Sequence, residues 1–232
     1  MSNRNTIFYG FISTIAIFFI AILVRNIIDF KECFVPNLFF GHVITILLSC
    51  IAIWVMKKNL NFHIALPKIK KLIKLFFIGV LLVYIVQIPM NIIVMLVDGK
   101  LTPHPFLLKM NVLQAFLFVF ISASIAEEIL FRGFLKNSLN SLSKRGVTIF
   151  KSRFSLPVII SAAAFSLAHL TLIFAGVNYL FLIRIVLFTF ILGTAAGYYQ
   201  EKYENNTSYA IIVHMGGNLP ALLSVFIMTL DQ

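Results

Sequence analysis

The sequence predicts an all-α membrane protein, a polytopic bundle of about seven transmembrane helices. The first observation is composition: 60% of the 232 residues are hydrophobic and only 12% are charged. This is too apolar for a soluble domain. The second observation is that the apolar residues occur in runs of about 18 or more, which is long enough for a helix to cross a bilayer.

Seven apolar runs predict the seven helices. They are 6–24, 38–56, 72–97, 106–131, 157–175, 177–199 and 208–230. The first run follows Arg4, as in a signal peptide, but its end has no small-x-small cleavage site, so we interpret it as an anchor. The fourth run is expected to continue as a helix beyond the membrane to about Asn140.

The distribution of lysine and arginine predicts the orientation of the bundle. With the amino terminus in the cytoplasm, the inside segments hold 13 of these residues and the outside segments hold 4. The positive-inside rule therefore places the amino terminus in the cytoplasm and the carboxyl terminus outside. The net charge of +11 is then mainly a topology signal. We expect contact with membrane lipids and no nucleic-acid partner, because no basic face interleaved with aromatic residues is present.

A few polar residues interrupt the last four apolar runs, and such residues mark functional sites because charge is costly in a bilayer. Arg184 lies near the outer end of its run and is left out of the site. By the predicted topology, His214 lies about 9 Å and His169 about 18 Å from the cytoplasmic end of its helix. These depths allow a shared cavity in the cytoplasmic half. The site candidates are Glu127, Glu128, Arg132, His169, His214 and Asn218.

Helical spacing predicts a role for each candidate. Glu128 and Arg132 are four residues apart, so they share a helix face and can pair. Glu127 is rotated by about 100° from Glu128 and is free to face the cavity as a general base.

Two further pairs have the same spacing of four residues. His214 and Asn218 both carry hydrogen-bond donors, which suit a developing oxyanion. Phe165 lies on the face of His169, where its ring can form an apolar wall for substrate.

This set of groups predicts hydrolysis of an amide bond. Glu127 and His169 would hold and deprotonate a water molecule, so no cofactor is required. A divalent metal such as zinc is the alternative, because two histidines and one or two glutamates have the donor types that zinc uses. No HExxH spacing supports that alternative, and we assign no metal ligand.

Three motifs together resemble a known family. EExxxR spans Glu127 to Arg132, FxxxH spans Phe165 to His169, and HxxxN spans His214 to Asn218. In this order they resemble the CPBP (CAAX protease and bacteriocin-processing, also called Abi) family of intramembrane proteases, over roughly residues 110–225. The resemblance implies an all-helical membrane enzyme with a polar cavity open to the cytosolic side, and the same roles for these residues.

The resemblance also implies a function. The protein is expected to be an endopeptidase that cleaves a peptide bond near the cytoplasmic face of a bacterial plasma membrane. Its substrate would be a peptide or protein, lipidated if it resembles that of the CAAX enzymes, and its role bacteriocin self-immunity or peptide maturation. Residues 1–105 would anchor the protein and help select substrate, and residues 106–232 would form the catalytic core. Members are often labelled metalloproteases.

Two other classes of protein are alternatives. A catalytically silent membrane scaffold or immunity protein would bind a partner without cleaving it. A proton-coupled transporter would also place glutamate and histidine in the membrane, although no inverted repeat is evident.

Overall fold

The structure, a computed structural model, describes residues 3–28, 34–101 and 104–230. In this part of the chain, seven helices are long and apolar enough to cross a membrane, which confirms the predicted helical bundle of an integral membrane protein. They are α1 (Asn3–Ile27), α2 (Asn37–Met56), α3 (Ile69–Asp98), α4 (Val112–Lys136), α5 (Leu156–Ala175), α6 (Tyr179–Lys202) and α7 (Thr207–Leu230).

Helix α4 starts later than its apolar run because a capping box fixes its first turn. The Asn111 side chain accepts a hydrogen bond from the Gln114 backbone N–H, and the Gln114 side chain accepts one from Asn111, both at 2.9 Å. Such a reciprocal pair satisfies two of the free N–H groups at a helix start. The preceding residues form only a short 3₁₀ turn, Leu107–Lys109.

Helix α4 also departs from regular α-helix around the predicted motif. A short α-helical segment, Ser124–Glu128, is flanked by π-helical stretches at Ala115–Ala123 and Ile129–Lys136. Wider turns of this kind are frequent at functional sites. The two adjacent glutamates therefore lie at the end of the regular segment between two irregular ones.

A small hairpin between α4 and α5 was not predicted. Its strands, β1 (Gly146–Ile149) and β2 (Ser152–Ser155), pair antiparallel. The predicted all-α class holds for the membrane part of the chain but misses this element. A prediction based on long apolar runs does not detect strands of only four residues.

Helices α3 and α7 approach each other at the level of their backbones. A Cβ atom on Gly79 would collide with the Val213 carbonyl, and one on Gly216 would collide with the Phe76 carbonyl. Small residues permit this close packing between membrane helices.

Two apolar cores lie on either side of the predicted site. One core gathers α1, α2, α4 and α5 around Phe134 and Phe165. The other gathers α3, α6 and α7 around Leu192 and Val213. Because α4 belongs to the first core and α7 to the second, the motif residues of these two helices meet where the cores join.

Candidate active site

Glu128 is the buried centre of the site. Its side chain is 1% exposed, and Oε1 accepts hydrogen bonds from Arg132 Nη1 at 2.9 Å and from His214 Nδ1 at 2.8 Å. The predicted pairing with Arg132, one turn along α4, is therefore present. The structure adds the bond from His214, which ties α7 to α4 through a charged group.

Glu127 faces a different direction from its neighbour, as the helical rotation of 100° predicts. Its side chain is 30% exposed, and it lines the cavity described below. The carboxylate Oε2 lies 3.5 Å from His214 Nε2. Two adjacent glutamates are thus placed in two environments, one enclosed by a cation and an imidazole, the other open to a cavity.

His214 lies between the two carboxylates, and its contact with Glu128 places a proton on Nδ1. An ionised carboxylate can only accept a hydrogen bond, so Nδ1 carries the proton donated to Glu128. The neutral ring then presents an unprotonated Nε2 toward Glu127. The imidazolium form instead presents an N–H, and can pair with both carboxylates at once.

His169 lies where α5 changes from α-helix, Leu156–Ala168, to a 3₁₀ segment, His169–Ala175. Its Nδ1 donates to the Phe165 carbonyl at 2.9 Å. Because a carbonyl can only accept, the neutral ring has its lone pair on Nε2. His169 lines the same cavity as Glu127, so this nitrogen is available to accept a proton or a hydrogen bond there.

Asn218 fastens α7 to α4. Its Nδ2 donates to Ser124 Oγ at 3.0 Å and to the Val119 carbonyl at 3.3 Å, and Ser124 Oγ in turn donates to the Phe120 carbonyl at 2.8 Å. Both amide hydrogens therefore have protein acceptors. A developing oxyanion would have to replace the longer bond, the one to Val119.

Phe165 is almost completely buried at 1% exposure. Its ring packs on the rings of His169 and His214, with centroids 4.9 and 5.4 Å apart, and beneath the Arg132 guanidinium at 4.6 Å. It was predicted as a wall for substrate. The structure shows that it also holds the two imidazoles and the guanidinium in place.

A cavity of about 580 Å³ connects these groups, a size typical of ligand sites. Its lining includes Glu127, Phe165, His169, His214 and Asn218. All five were named from the sequence, and the structure brings them to one cavity. Glu128 and Arg132 lie behind this surface.

The cavity extends away from the basic loops. Beyond the motif residues, its lining comes from the carboxyl end of α1, the amino end of α2 and the loop after α3, including Arg25, Leu38 and His104. With the orientation predicted from lysine and arginine, this is the outer half of the bundle. Both the predicted orientation and the predicted opening to the cytosolic side stay predictions.

Sequence reasoning missed several residues of the site and cavity. Ser124 holds Asn218, and Gly193 leaves the space that Arg132 occupies. His42, His104 and Arg184 were not among the site candidates, yet all three line the cavity. Gly193 and Gly197 have the GxxxG spacing of closely packed membrane helices, but a lone serine or histidine in an apolar helix gives no comparable signal.

A divalent metal was the alternative to a metal-free site. In the described ranges, no three histidine, cysteine, aspartate or glutamate side chains converge as metal ligands do. Glu128 Oε1 accepts from Arg132 and His214, while Glu127 and the Nε2 atoms of His169 and His214 have the donor types that zinc uses. A divalent metal therefore stays an alternative prediction.

Comparison with known families gives a match over the part of the chain that holds the site. Residues 109–220 match the family model described as type II CAAX prenyl endopeptidase Rce1-like, and this range of the sequence includes the three motifs. The resemblance to the CAAX protease family is thereby confirmed. The chain has no significant match among curated proteins or among solved structures.

Proposed function

We propose that this integral membrane protein, which carries an Rce1-like domain, is an endopeptidase that uses water activated by Glu127 and His169. One observation carries the proposal. Glu127 is the only carboxylate among the described residues that line the cavity, and it lies 3.5 Å from the Nε2 of a histidine whose other nitrogen is fixed by Glu128. This is the arrangement of a general base beside an oriented imidazole.

In the first step, water attacks the scissile carbonyl and loses a proton to Glu127. His169 Nε2 accepts a hydrogen bond from the same water and so directs its lone pair to the substrate. The new C–O bond forms, and the carbonyl π electrons move to oxygen. His214, as imidazolium, turns its Nε2–H to this oxygen once Glu127 has become neutral and no longer attracts it.

In the second step, the tetrahedral intermediate collapses. The C–N bond breaks, and the proton held by Glu127 passes to the leaving amine. Asn218 contributes to the oxyanion by exchanging its bond to Val119 for one to the substrate. Glu128 and Arg132 remain paired throughout, and Glu128 holds the orientation of the His214 ring, which makes them positioning residues.

The substrate is proposed to be a peptide or protein segment, and lipidation of that segment stays a prediction from the resemblance. A role in bacteriocin self-immunity or peptide maturation stays a prediction. A silent scaffold would have the same cavity but would not need Glu127 as a base. Replacing Glu127 therefore distinguishes the scaffold from the protease.

The test compares membrane peptides from cells that express the wild type, Glu127→Gln or Glu204→Gln at matched abundance. Glu204 is an exposed carboxylate outside the cavity and serves as the control. We expect peptide termini that disappear with Glu127→Gln and persist with Glu204→Gln, because losing a general base costs about 10²–10⁴ in rate. Activity of the purified protein should survive metal chelators. Identical peptidomes in all three strains would refute the protease and favour a scaffold.

A further inference from the structure

A second pocket lies at the other end of the bundle, away from Arg25 and His104. Its volume is about 640 Å³, and none of the site candidates is among the described residues of its lining. The carboxyl ends of α4 and α6 and the strand β2 contribute to this lining. We call it the basic pocket, because three of its lining side chains are cationic: Lys136, Lys144 and Arg153.

Lys136 is the buried cation of the basic pocket. It is the last residue of α4, and its side chain is only 3% exposed. Its ammonium group donates a hydrogen bond to Asn205 Oδ1 and lies 3.6 Å from Glu201 Oε1. The amide of Asn205 is itself fixed, because its Nδ2 donates to Asn137 Oδ1 at 2.8 Å. Groups from α6 and from the turn after it therefore hold the buried charge in one position.

The charge of the basic pocket is positive. Glu201 is the only carboxylate among the described residues that line it. Its Oε1 is already engaged, since it accepts a hydrogen bond from Ser155 Oγ at 2.8 Å and faces Lys136. Lys144 and Arg153 are exposed, and Arg153 donates to a neutral backbone carbonyl at 2.8 Å. Three cations thus face one carboxylate, which leaves an excess of positive charge.

The basic pocket lies at the level where the membrane helices end. Lys136 ends the fourth span, and Glu201 is the next-to-last residue of the sixth. The hairpin that carries Arg153 presents Phe150 at its tip, where the ring is 98% exposed. Exposed aromatic rings are typical of the boundary between a membrane and water. The pocket therefore lies at the level of the lipid headgroups.

We propose that the basic pocket binds the phosphate group of an anionic phospholipid. Ammonium and guanidinium groups form charge-assisted hydrogen bonds with phosphate oxygens, and basic pockets between membrane helices bind anionic headgroups. Lys144 and Arg153 would contact the phosphate, and Lys136 would attract it from the floor of the pocket. A zwitterionic lipid such as phosphatidylcholine adds a positive charge beside its phosphate, so the excess positive charge of the pocket disfavours it.

The experiment measures which lipid the protein retains. The full-length protein in a neutral detergent is incubated with equal amounts of phosphatidylglycerol and phosphatidylcholine, and the lipids that co-elute with it are quantified by mass spectrometry. We expect the wild type to retain phosphatidylglycerol at least about 10-fold over phosphatidylcholine, as for hydrogen bonds to a charged group. Lys144→Gln/Arg153→Gln should lose most of this preference. Arg153→Lys should keep most of it, because the charge remains.

A matched control separates the pocket from general attraction to positive charge. Arg145→Gln/Lys151→Gln removes the same two charges from exposed positions of the same region, outside the described lining of the pocket. This variant should keep the preference of the wild type. A repeat in excess inorganic phosphate separates a lipid from a soluble anion. The lipid should stay bound, because its acyl chains hold it against the apolar helices.

Each result decides the proposal. Equal retention of the two lipids by the wild type, a preference that survives Lys144→Gln/Arg153→Gln, or an equal loss in the control would overturn it. Displacement of the lipid by inorganic phosphate would make the pocket a site for a soluble anion and would also overturn it. Elution as a single species shows that a variant is folded, and the two single glutamine variants, each expected to lose part of the preference, replace a double variant that is not. The outcome is independent of the proposed endopeptidase, because Glu127 is not altered.

Discussion

At the scale of the residue, the site depends on a difference between two adjacent side chains. Glu128 and Arg132 are fully buried, whereas Glu127 keeps 30% of its side chain exposed. The enclosed glutamate holds an arginine and an imidazole, and the exposed one is free to exchange protons with water. Adjacent residues of a helix are rotated by about 100° from each other. This rotation lets Glu128 act as a positioning group while Glu127 acts as the base.

Removal of Arg132 should destabilise the protein, because it leaves Glu128 buried beside His214 alone. We expect Arg132→Met to lower the free energy of unfolding by about 3–5 kcal/mol, the usual effect of breaking a buried pair. The double variant Glu128→Gln/Arg132→Met should recover much of this stability while remaining inactive, because His214 loses its partner. Reversible unfolding in mixed detergent micelles measures both, with the exposed Arg145→Met as control.

The alternative outcome is informative. If the double variant were no more stable than Arg132→Met alone, the uncompensated charge on Glu128 would not be the cause. The contact of the guanidinium with Phe165 would then be the more important one.

At the scale of the element, a glycine of α6 provides room for the buried pair. A Cβ atom on Gly193 would collide with Arg132 Nη2 and lie 3.2 Å from Phe165 Cδ1. One turn later, the atoms nearest to a Cβ on Gly197 would belong to the side chain of Val158, the first at 3.1 Å. The two glycines of one GxxxG motif thus serve different purposes, one for the site and one for helix packing.

Gly193→Ala should therefore reduce activity more than Gly197→Ala. The first change displaces Arg132 and with it Glu128 and His214, and a shift of about 1 Å in such groups costs about 10²-fold in rate. The second requires Val158 to move by a fraction of an ångström. Initial rates of peptide cleavage, measured on protein that elutes as a single species, compare the two. Equal losses would mean that both glycines act only through packing.

What the sequence could predict follows from the same elements. The seven helices and the i,i+4 pair of Glu128 and Arg132 depend on local periodicity, so they were predicted from the sequence. The bond from His214 to Glu128 joins residues 86 positions apart, and no local pattern reports it. The hairpin was missed because its strands are only four residues long, and the bonds that occupy the Asn218 amide depend on how α7 meets α4.

At the scale of the whole molecule, the orientation of the bundle decides which side of the membrane the cavity extends toward. The lining runs from the motif residues toward Arg25 and His104, whereas the basic hairpin region at 144–153 lies between the opposite helix ends. Positive loops predict the cytoplasmic side. With that orientation, the part of the cavity lined by Arg25 and His104 would lie in the outer half of the bilayer.

Labelling of introduced cysteines decides the direction. Both native cysteines, Cys33 and Cys50, are first replaced by serine, and single cysteines are placed at the exposed Lys100 and Lys144. Because the basic loops outweigh the others by 13 to 4, we expect a membrane-impermeant maleimide to label Lys100→Cys in intact cells. Lys144→Cys should react only after permeabilisation. The reverse pattern would contradict the predicted orientation and would place the end of the cavity lined by Arg25 and His104 on the cytoplasmic side.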